Sequence, residues 1–313
     1  MAAIQDMADP HAPGSAAPGR DRTGATESDA AEETTTWRAL WRETADVIGD
    51  RQHARWMCEA ASATEPDEFL AELDAAPTVR MVQHLDEMIA RHRSGEPLQY
   101  VLGRWGFRRL DLAIDSRVLI PRPETELVVE VALGVAAGLE PDRTIVDLGT
   151  GSGAIGLALA DELPLEGTTV WLTDASPDAL DVARANLAGI GRSAQNVRIA
   201  QGSWFEALPA DLVVDVVVSN PPYVSDESPD LEQIVGAWEP RSALFAGPDG
   251  LDDIRVIIDG AIARLRAGGW LVVEIGHDQG GAVEQLLEGA GYDNVEIRKD
   301  LSGLDRIALA RRP

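Results

Sequence analysis

The chain has 313 residues, 45% of them hydrophobic, which is enough for one large domain and a smaller one beside it. Its 27 basic and 53 acidic residues give a net charge of −26, which opposes an extended contact with a nucleic-acid backbone. The single cysteine excludes an internal disulfide and a cysteine zinc cluster. No signal-peptide pattern and no apolar run of transmembrane length is present, so we expect a cytoplasmic protein with no membrane, metal or direct nucleic-acid partner.

The first part of the chain divides into a tail and a helical region. Residues 1–36 are rich in small and polar residues and have no apolar periodicity, which predicts a disordered acidic tail. Over residues 37–94, apolar residues recur at helical spacing and prolines interrupt them, which predicts a small helical bundle. Cys58 falls within this bundle, and we interpret it as a packed thiol rather than a nucleophile.

Residues 95–123 are predicted to link the bundle to the next domain through a β-hairpin, with strands at 100–103 and 110–114 around a turn that contains glycine. The sequence PRPETE follows at 121–126, where two prolines stiffen the backbone before a helix that begins near Glu124. For Arg122 and Glu124 two interpretations stay open. They form either an interdomain salt bridge or a wall of an active site that touches the substrate.

Residues 124–313 are predicted to form an α/β domain with a glycine-rich loop after its first strand. A buried strand leads into Gly149, Thr150, Gly151, Ser152 and Gly153, and a helix begins directly afterwards. Glycines permit a positive φ, and a helix start offers free N–H groups to a ligand. The next strand ends in Asp174, whose carboxylate can accept both ribose hydroxyls of an adenosine cofactor. After the third strand comes Trp204, which either stacks on adenine or packs in the core.

A run of valines that ends in Asn220, Pro221, Pro222 and Tyr223 is the most informative stretch of this domain. The valines indicate a strand buried on both faces, and the prolines end its ladder and stiffen the turn. The Asn220 amide then lies at the carboxyl end of a central strand, where open α/β sheets bind ligands. With Tyr223 as a flat wall, this arrangement suits a planar amide or amino group. The alternative is an ordinary strand-ending turn.

The glycine loop alone does not identify the cofactor, because Gly151, Gly153 and Gly156 also satisfy the GxGxxG dinucleotide fingerprint. Two features favour S-adenosylmethionine over NAD. Asp147 precedes the loop, where its carboxylate can meet the cofactor's ammonium group directly or through water. The Asn-Pro-Pro-Tyr sequence is also not required by dehydrogenases.

Seven predicted strands alternate with helices, which implies right-handed crossovers and a Rossmann-like, mostly parallel sheet. Only a short turn separates the last two strands, at 295–298 and 306–310, so the last strand is predicted to run antiparallel. Residues 238–251 are predicted to form a long loop over the site.

In their order and spacing, the motifs resemble those of the release-factor glutamine methyltransferases, the HemK/PrmC family. They are GEPLQY (95–100), PRPETE (121–126), DLGTGSGAIGLALA (147–160), SNPPYV (219–224), EPRSAL (239–244), GPDGLDDIR (247–255) and EIG (274–276). The resemblance covers roughly residues 37–313. It implies a class I S-adenosylmethionine-dependent methyltransferase, expected to be a monomer, that methylates the amide nitrogen (N5) of the glutamine in the Gly-Gly-Gln motif of peptide-chain release factors.

The resemblance also implies roles for residues. The cofactor loop maps onto residues 149–153, the ribose carboxylate onto Asp174, the adenine contact onto Trp204, and the substrate clamp onto residues 220–223. Within the clamp, Asn220, Pro221 and Tyr223 are the expected catalytic groups.

Two other functions are weighed against this one. An adenine-N6 or guanine-N2 methyltransferase of nucleic acids would use the same clamp on a flipped base, but it should show a basic groove or a recognition insert. A module that only binds NAD would leave Asn220 and its neighbours unexplained. A different protein glutamine is also compatible, because the clamp reads the amide and not its neighbours.

Overall fold

The structure, a computed structural model, describes residues 35–227 and 238–313. The predicted tail therefore lies almost entirely outside the described residues. The helices are α1 (Trp37–Ile48), α2 (Arg51–Ser62), α3 (Pro66–Ala71), α4 (Val79–Arg93), α5 (Leu98–Leu102), α6 (Pro123–Ala137), α7 (Ala154–Glu162), α8 (Pro177–Gly189), α9 (Asp252–Arg264) and α10 (Gly280–Gly289). Within the described ranges, no helix is long and apolar enough to cross a membrane.

The strands are β1 (Arg104–Phe107), β2 (Leu110–Ala113), β3 (Arg143–Leu148), β4 (Thr168–Asp174), β5 (Val197–Gln201), β6 (Val214–Ser219), β7 (Leu265–Glu274), β8 (Asp293–Lys299) and β9 (Asp305–Arg311). The last seven form one sheet in the order β5-β4-β3-β6-β7-β9-β8. Strand β9 pairs antiparallel with its neighbours β7 and β8. The other five strands, in the sheet order β5, β4, β3, β6 and β7, all pair in parallel. The predicted fold, a mostly parallel seven-stranded Rossmann-like sheet with an antiparallel last strand, is confirmed.

Helices cover both faces of this sheet. Consecutive residues of a strand point to opposite faces, and in β6 both faces are apolar, so each face packs against helices. Val216 and Val218 of β6 pack with α6 and α7, whereas Val217 packs with α9 and α10. All six residues of β6 are buried, as the valine run predicts for a central strand.

The N-terminal helices α1 to α4 have an apolar core of their own. The Thr36 side chain caps α1 by accepting a hydrogen bond from the backbone N–H of Ala39, and Trp37 packs edge-on against Phe69. Cys58 is fully buried in this core, and burial raises the pKa of its thiol to about 12. The interpretation of Cys58 as a packed residue is therefore confirmed.

The predicted hairpin exists, but the position of its first strand was wrong. Residues 98–102 form the short helix α5, which Gly103 ends in the left-handed conformation. The strand begins only at Arg104, and β1 pairs antiparallel with β2. The turn between them has no glycine. Arg108 adopts a φ of 51° there, and its guanidinium pairs with Glu162 of α7. This tertiary ion pair stabilises a turn that has no glycine or other turn-forming residue in its sequence.

The strand order places two motifs side by side. Strand β3 has β4, the next strand in the chain, at one edge and β6 at its other edge, so the strand order reverses direction at β3. Leu148 is paired with Ser219, so the loop that starts at Gly149 and the turn that starts at Asn220 leave the sheet next to each other. Open α/β sheets bind ligands at such a switch point.

Candidate active site

A cavity of about 370 Å³ opens at the carboxyl ends of β3 to β6. Most of the residues that the sequence predicts for cofactor and substrate line it: Gly149, Thr150, Gly151, Ser152, Asp174, Trp204, Asn220 and Pro222. The other predicted residues stand outside the cavity lining, namely Asp147, Gly153, Pro221, Tyr223, Arg122 and Glu124. The lining also includes Thr125 and Asp253, which the sequence analysis did not single out.

The glycine loop wraps tightly around the start of α7. Gly149, Gly151 and Gly153 all have a positive φ, of 67°, 55° and 88°, which residues other than glycine rarely adopt. A Cβ at Gly151 would meet no atom of the described residues within 4 Å, so the backbone here borders open space in the cavity. The loop therefore presents bare backbone at a helix N-terminus, an arrangement that binds polar and anionic groups.

Asp147 holds this loop from behind. Its Oδ2 accepts hydrogen bonds from the Thr150 hydroxyl at 2.5 Å and from the Gly156 N–H at 2.9 Å. Its Oδ1 has no hydrogen-bond partner among the described residues, and burial raises the pKa of the carboxyl to about 7. The carboxylate is fully buried, so its contact with a cofactor ammonium group stays a prediction.

Asp174 is at the end of β4 and faces the cavity. Its Oδ2 accepts a hydrogen bond from Gly151 N–H, and its Oδ1 accepts one from Ser176 N–H, both at 2.9 Å. Burial raises the pKa of this carboxyl despite those two donors. The backbone contacts fix the direction in which the carboxylate points, as a hydroxyl-binding group requires.

Trp204 packs in the core and also borders the cavity, and its stacking on adenine stays a prediction. Its ring lies along the glycine loop, where a Cβ on Gly149 would be 3.4 Å from the ring. The φ of 45° at Trp204 is unusual for a residue with a side chain, and it is the geometry in which the ring reaches the cavity. Asp253, at the start of α9, borders the same cavity, and burial raises the pKa of its carboxyl.

Asn220 is joined to a buried network that the sequence analysis missed. Its Nδ2 donates to the Thr125 hydroxyl at 3.2 Å, and Thr125 donates to Glu274 Oε2 at 2.7 Å. The Tyr223 hydroxyl donates to the other oxygen, Glu274 Oε1, at 3.2 Å. The available signal was a glutamate that ends the buried strand β7, where a carboxylate needs partners.

Arg122 forms a salt bridge with Glu239, with 2.7 Å between Nη2 and Oε2. The Oε1 of Glu239 also accepts a hydrogen bond from the Ile120 N–H. The partner belongs to the loop whose residues Pro240, Ser242 and Ala243 line the cavity. Arg122 therefore makes a salt bridge, whereas Glu124 makes none within the described residues, and contact of either residue with the substrate stays a prediction. Arg122 anchors the covering loop, and the neighbouring wall positions are taken by Pro121 and Thr125 rather than by Glu124.

Two family models and several curated relatives match this chain. The family model of the methyltransferase small domain matches residues 128–235, and that of the PrmC N-terminal domain matches residues 43–103. A release factor glutamine methyltransferase of Vibrio cholerae is 42% identical over 79% of this chain and 82% of its own length. One of Xylella fastidiosa is 45% identical over 76% of this chain and 84% of its own length.

Among solved structures, the hMettl16 catalytic domain in complex with an RNA hairpin has a TM-score of 0.50 at 19% identity. The match covers 69% of this chain and 78% of that one. At this level of identity the likeness concerns the fold.

Proposed function

The chain belongs to the release factor glutamine methyltransferase family, and we propose that it carries out this methyl transfer in the cavity between the glycine loop and Asn220. It is an enzyme that moves a methyl group onto the side-chain amide nitrogen of a glutamine. The observation that carries the proposal is the position of Asn220, an amide on a stiff turn that lines the same cavity as Asp174 and Trp204.

S-adenosylmethionine is the cofactor that the cavity fits best. The bare backbone at Gly151 has room for a ligand, and Asp174 offers a fixed carboxylate for ribose hydroxyls. Trp204 offers an aromatic face beside them. The cavity lining has two carboxyl groups, Asp174 and Asp253, and one basic residue, Arg117, and this acidic balance suits a cofactor that carries a positive charge. When bound, this cofactor supplies a methyl group already activated on a sulfonium.

The residues of the clamp then have to place the substrate nitrogen. An amide nitrogen is a poor nucleophile, and a base that deprotonates the free amide would face a large pKa difference. Placement is therefore the main contribution, and it can remove about 7–11 kcal/mol of a barrier. The Asn220 Oδ1 and the Pro221 carbonyl can accept the two amide hydrogens and fix the nitrogen. Tyr223 stands outside the cavity lining, and its hydroxyl is held by a hydrogen bond to Glu274.

We infer that the substrate glutamine belongs to the Gly-Gly-Gln motif of peptide-chain release factors. Support comes from the curated relatives, which carry that activity in their names over most of this chain. A glycine-flanked glutamine also suits a narrow site, because glycines let a backbone approach closely.

The test is transfer of labelled methyl from S-adenosylmethionine to a purified release factor. The same assay includes a release-factor variant in which the Gly-Gly-Gln glutamine is alanine, together with a panel of DNA and RNA. Label on the intact release factor alone is the expected result. Label on nucleic acid, or equal label on the alanine variant, would overturn the substrate assignment.

Asn220→Ala tests the clamp in the same assay. We expect turnover to fall by at least about 100-fold, because the substrate nitrogen loses its main acceptor. Cofactor affinity should change far less, since Asp174 and the glycine loop remain. An Asn220→Ala enzyme with near-normal turnover would refute the clamp.

A further inference from the structure

Behind the clamp lies a carboxylate, Glu274, whose connection to Asn220 the proposed mechanism does not use. Glu274 is 1% exposed and Thr125 is 3% exposed, so their hydrogen bonds are made in a protein interior. Glu274 accepts from the hydroxyl of Thr125 with one oxygen and from that of Tyr223 with the other. One buried side chain thereby holds both polar ends of the clamp.

The order of donors along this network determines which way the Asn220 amide faces. An ionised carboxylate can only accept hydrogen bonds, so the Thr125 proton must point to Glu274. The Thr125 oxygen is then left as an acceptor, and Asn220 must meet it with its Nδ2 donor, at 3.2 Å. The Oδ1 of Asn220 therefore points away from Thr125. Among residues 35–227 and 238–313, no group donates a hydrogen bond to that oxygen.

We propose that Glu274 is a positioning residue that acts through Thr125 to keep the Asn220 amide in the orientation that offers its oxygen to the substrate amide. This inference rests on the proposed function and deepens it. The clamp recognises an N–H donor because a carboxylate two hydrogen bonds away sets its polarity. A flipped Asn220 would present N–H groups to the N–H groups of the substrate, and two donors cannot bond to each other.

Glu274 is not placed to act as a general base. Each of its oxygens already accepts a hydroxyl proton, and the residue does not line the cavity. A base must reach the proton that it removes, directly or through one water. Thr125 is the member of the network that borders both the cavity and Glu274, and it passes on orientation without taking part in the chemistry.

Protonation of Glu274 would reverse the orientation. Burial raises the pKa of this carboxyl to about 7, with the nearby Glu124 raising it and Arg306, Thr125 and Tyr223 lowering it. A neutral Glu274 can donate to Thr125, which can then donate to the Asn220 oxygen and turn the amide round. The productive form is the ionised one, so kcat/KM should fall as the pH drops below about 7.

The main test compares isosteric variants of buried threonines. Thr125→Val removes the hydroxyl and should lower kcat by about 10- to 100-fold, with little change in the Kd of S-adenosylmethionine. Thr125→Ser restores the hydroxyl and should recover most of kcat. Thr168→Val is the matched control. Its hydroxyl is buried at the start of β4 with no hydrogen-bond partner within residues 35–227 and 238–313, so kcat should stay within about twofold of the parent.

A pH profile tests the role of Glu274 separately. The parent enzyme should lose kcat/KM on the acid side of about pH 7. Glu274→Gln should weaken that limb because its amide does not titrate, which leaves only the contribution of Asp147, whose pKa burial also raises to about 7. An unchanged limb in Glu274→Gln would overturn the positioning role, as would a Thr125→Val enzyme with kcat within about twofold of the parent. Failure of the parent enzyme to label any release factor would instead overturn the proposed function, so the two failures are distinguishable.

Discussion

Two glycines, each within a helix, allow a sharp test of how α7 is packed behind the cofactor loop. Gly156 lies in the first turn of α7, and a Cβ there would be 2.7 Å from Leu172 Cδ1 and 3.0 Å from Asp147 Oδ2. Gly134 lies in α6 and is exposed, and a Cβ there would meet no atom within 4 Å in the part of the chain that the structure describes. The same substitution, glycine to alanine, should therefore have opposite effects at the two positions.

The magnitudes follow from these contacts. Alanine at Gly134 should stabilise the protein by about 0.5–1 kcal/mol, because it lowers the backbone entropy of the unfolded chain. At Gly156 the same gain is outweighed. Leu172 is fully buried and cannot move aside freely, so overpacking should cost about 1–3 kcal/mol. Loss of the hydrogen bond from the Gly156 N–H to Asp147 should lower the free energy of unfolding by a further amount of at most about 1.5–3 kcal/mol. We expect a net loss of roughly 2–4 kcal/mol for Gly156→Ala.

Urea unfolding of the parent and the two variants measures the difference in the free energy of unfolding. Titration with S-adenosylmethionine adds a functional readout, because a shifted Asp147 would loosen the Thr150 side of the loop and weaken binding. Should Gly156→Ala unfold at the same urea concentration as Gly134→Ala, the close approach of α7 to β4 described here would be wrong.

Three further predictions concern the cavity and the bundle. Asp174→Ala should weaken S-adenosylmethionine binding by about 10- to 100-fold, because charge-assisted hydrogen bonds contribute about 1.5–3 kcal/mol; equal affinity in a calorimetric titration would remove Asp174 from the ribose site. Trp204→Phe should bind the cofactor better than Trp204→Ala if the ring stacks on adenine, and equal loss in both would restrict Trp204 to a structural role. Native Cys58 should resist a thiol-reactive dye at neutral pH until denaturant is added, since a pKa of about 12 leaves almost no thiolate; rapid labelling of the folded protein would contradict the packing of the bundle.

The elements that the sequence placed correctly are those with a strong local pattern. The valine run of β6 is buried along its whole length, and the glycine loop has the positive φ values that its composition predicts. The hairpin shows the opposite case. Residues 100–102 include an aromatic and a β-branched residue, which is typical of a strand, yet they are helical. Gly103 ends this helix in the left-handed conformation, and the Tyr100 hydroxyl donates a hydrogen bond to the Val118 carbonyl. A distant partner decided that conformation.

The sequence by itself indicated which residues follow or end β3, β4 and β6. The glycine loop, Asp174 and the Asn220 turn could each be recognised from a few neighbouring residues, because turn geometry and strand burial are local properties. Only the tertiary structure decided which side chains meet. Thr125 and Glu274 are 149 positions apart, and Asn220 is 95 positions from Thr125. They come together because β7 pairs with β6 and α6 lies across both strands. Such a buried network depends on strand order and helix placement, which a local pattern of residues does not specify.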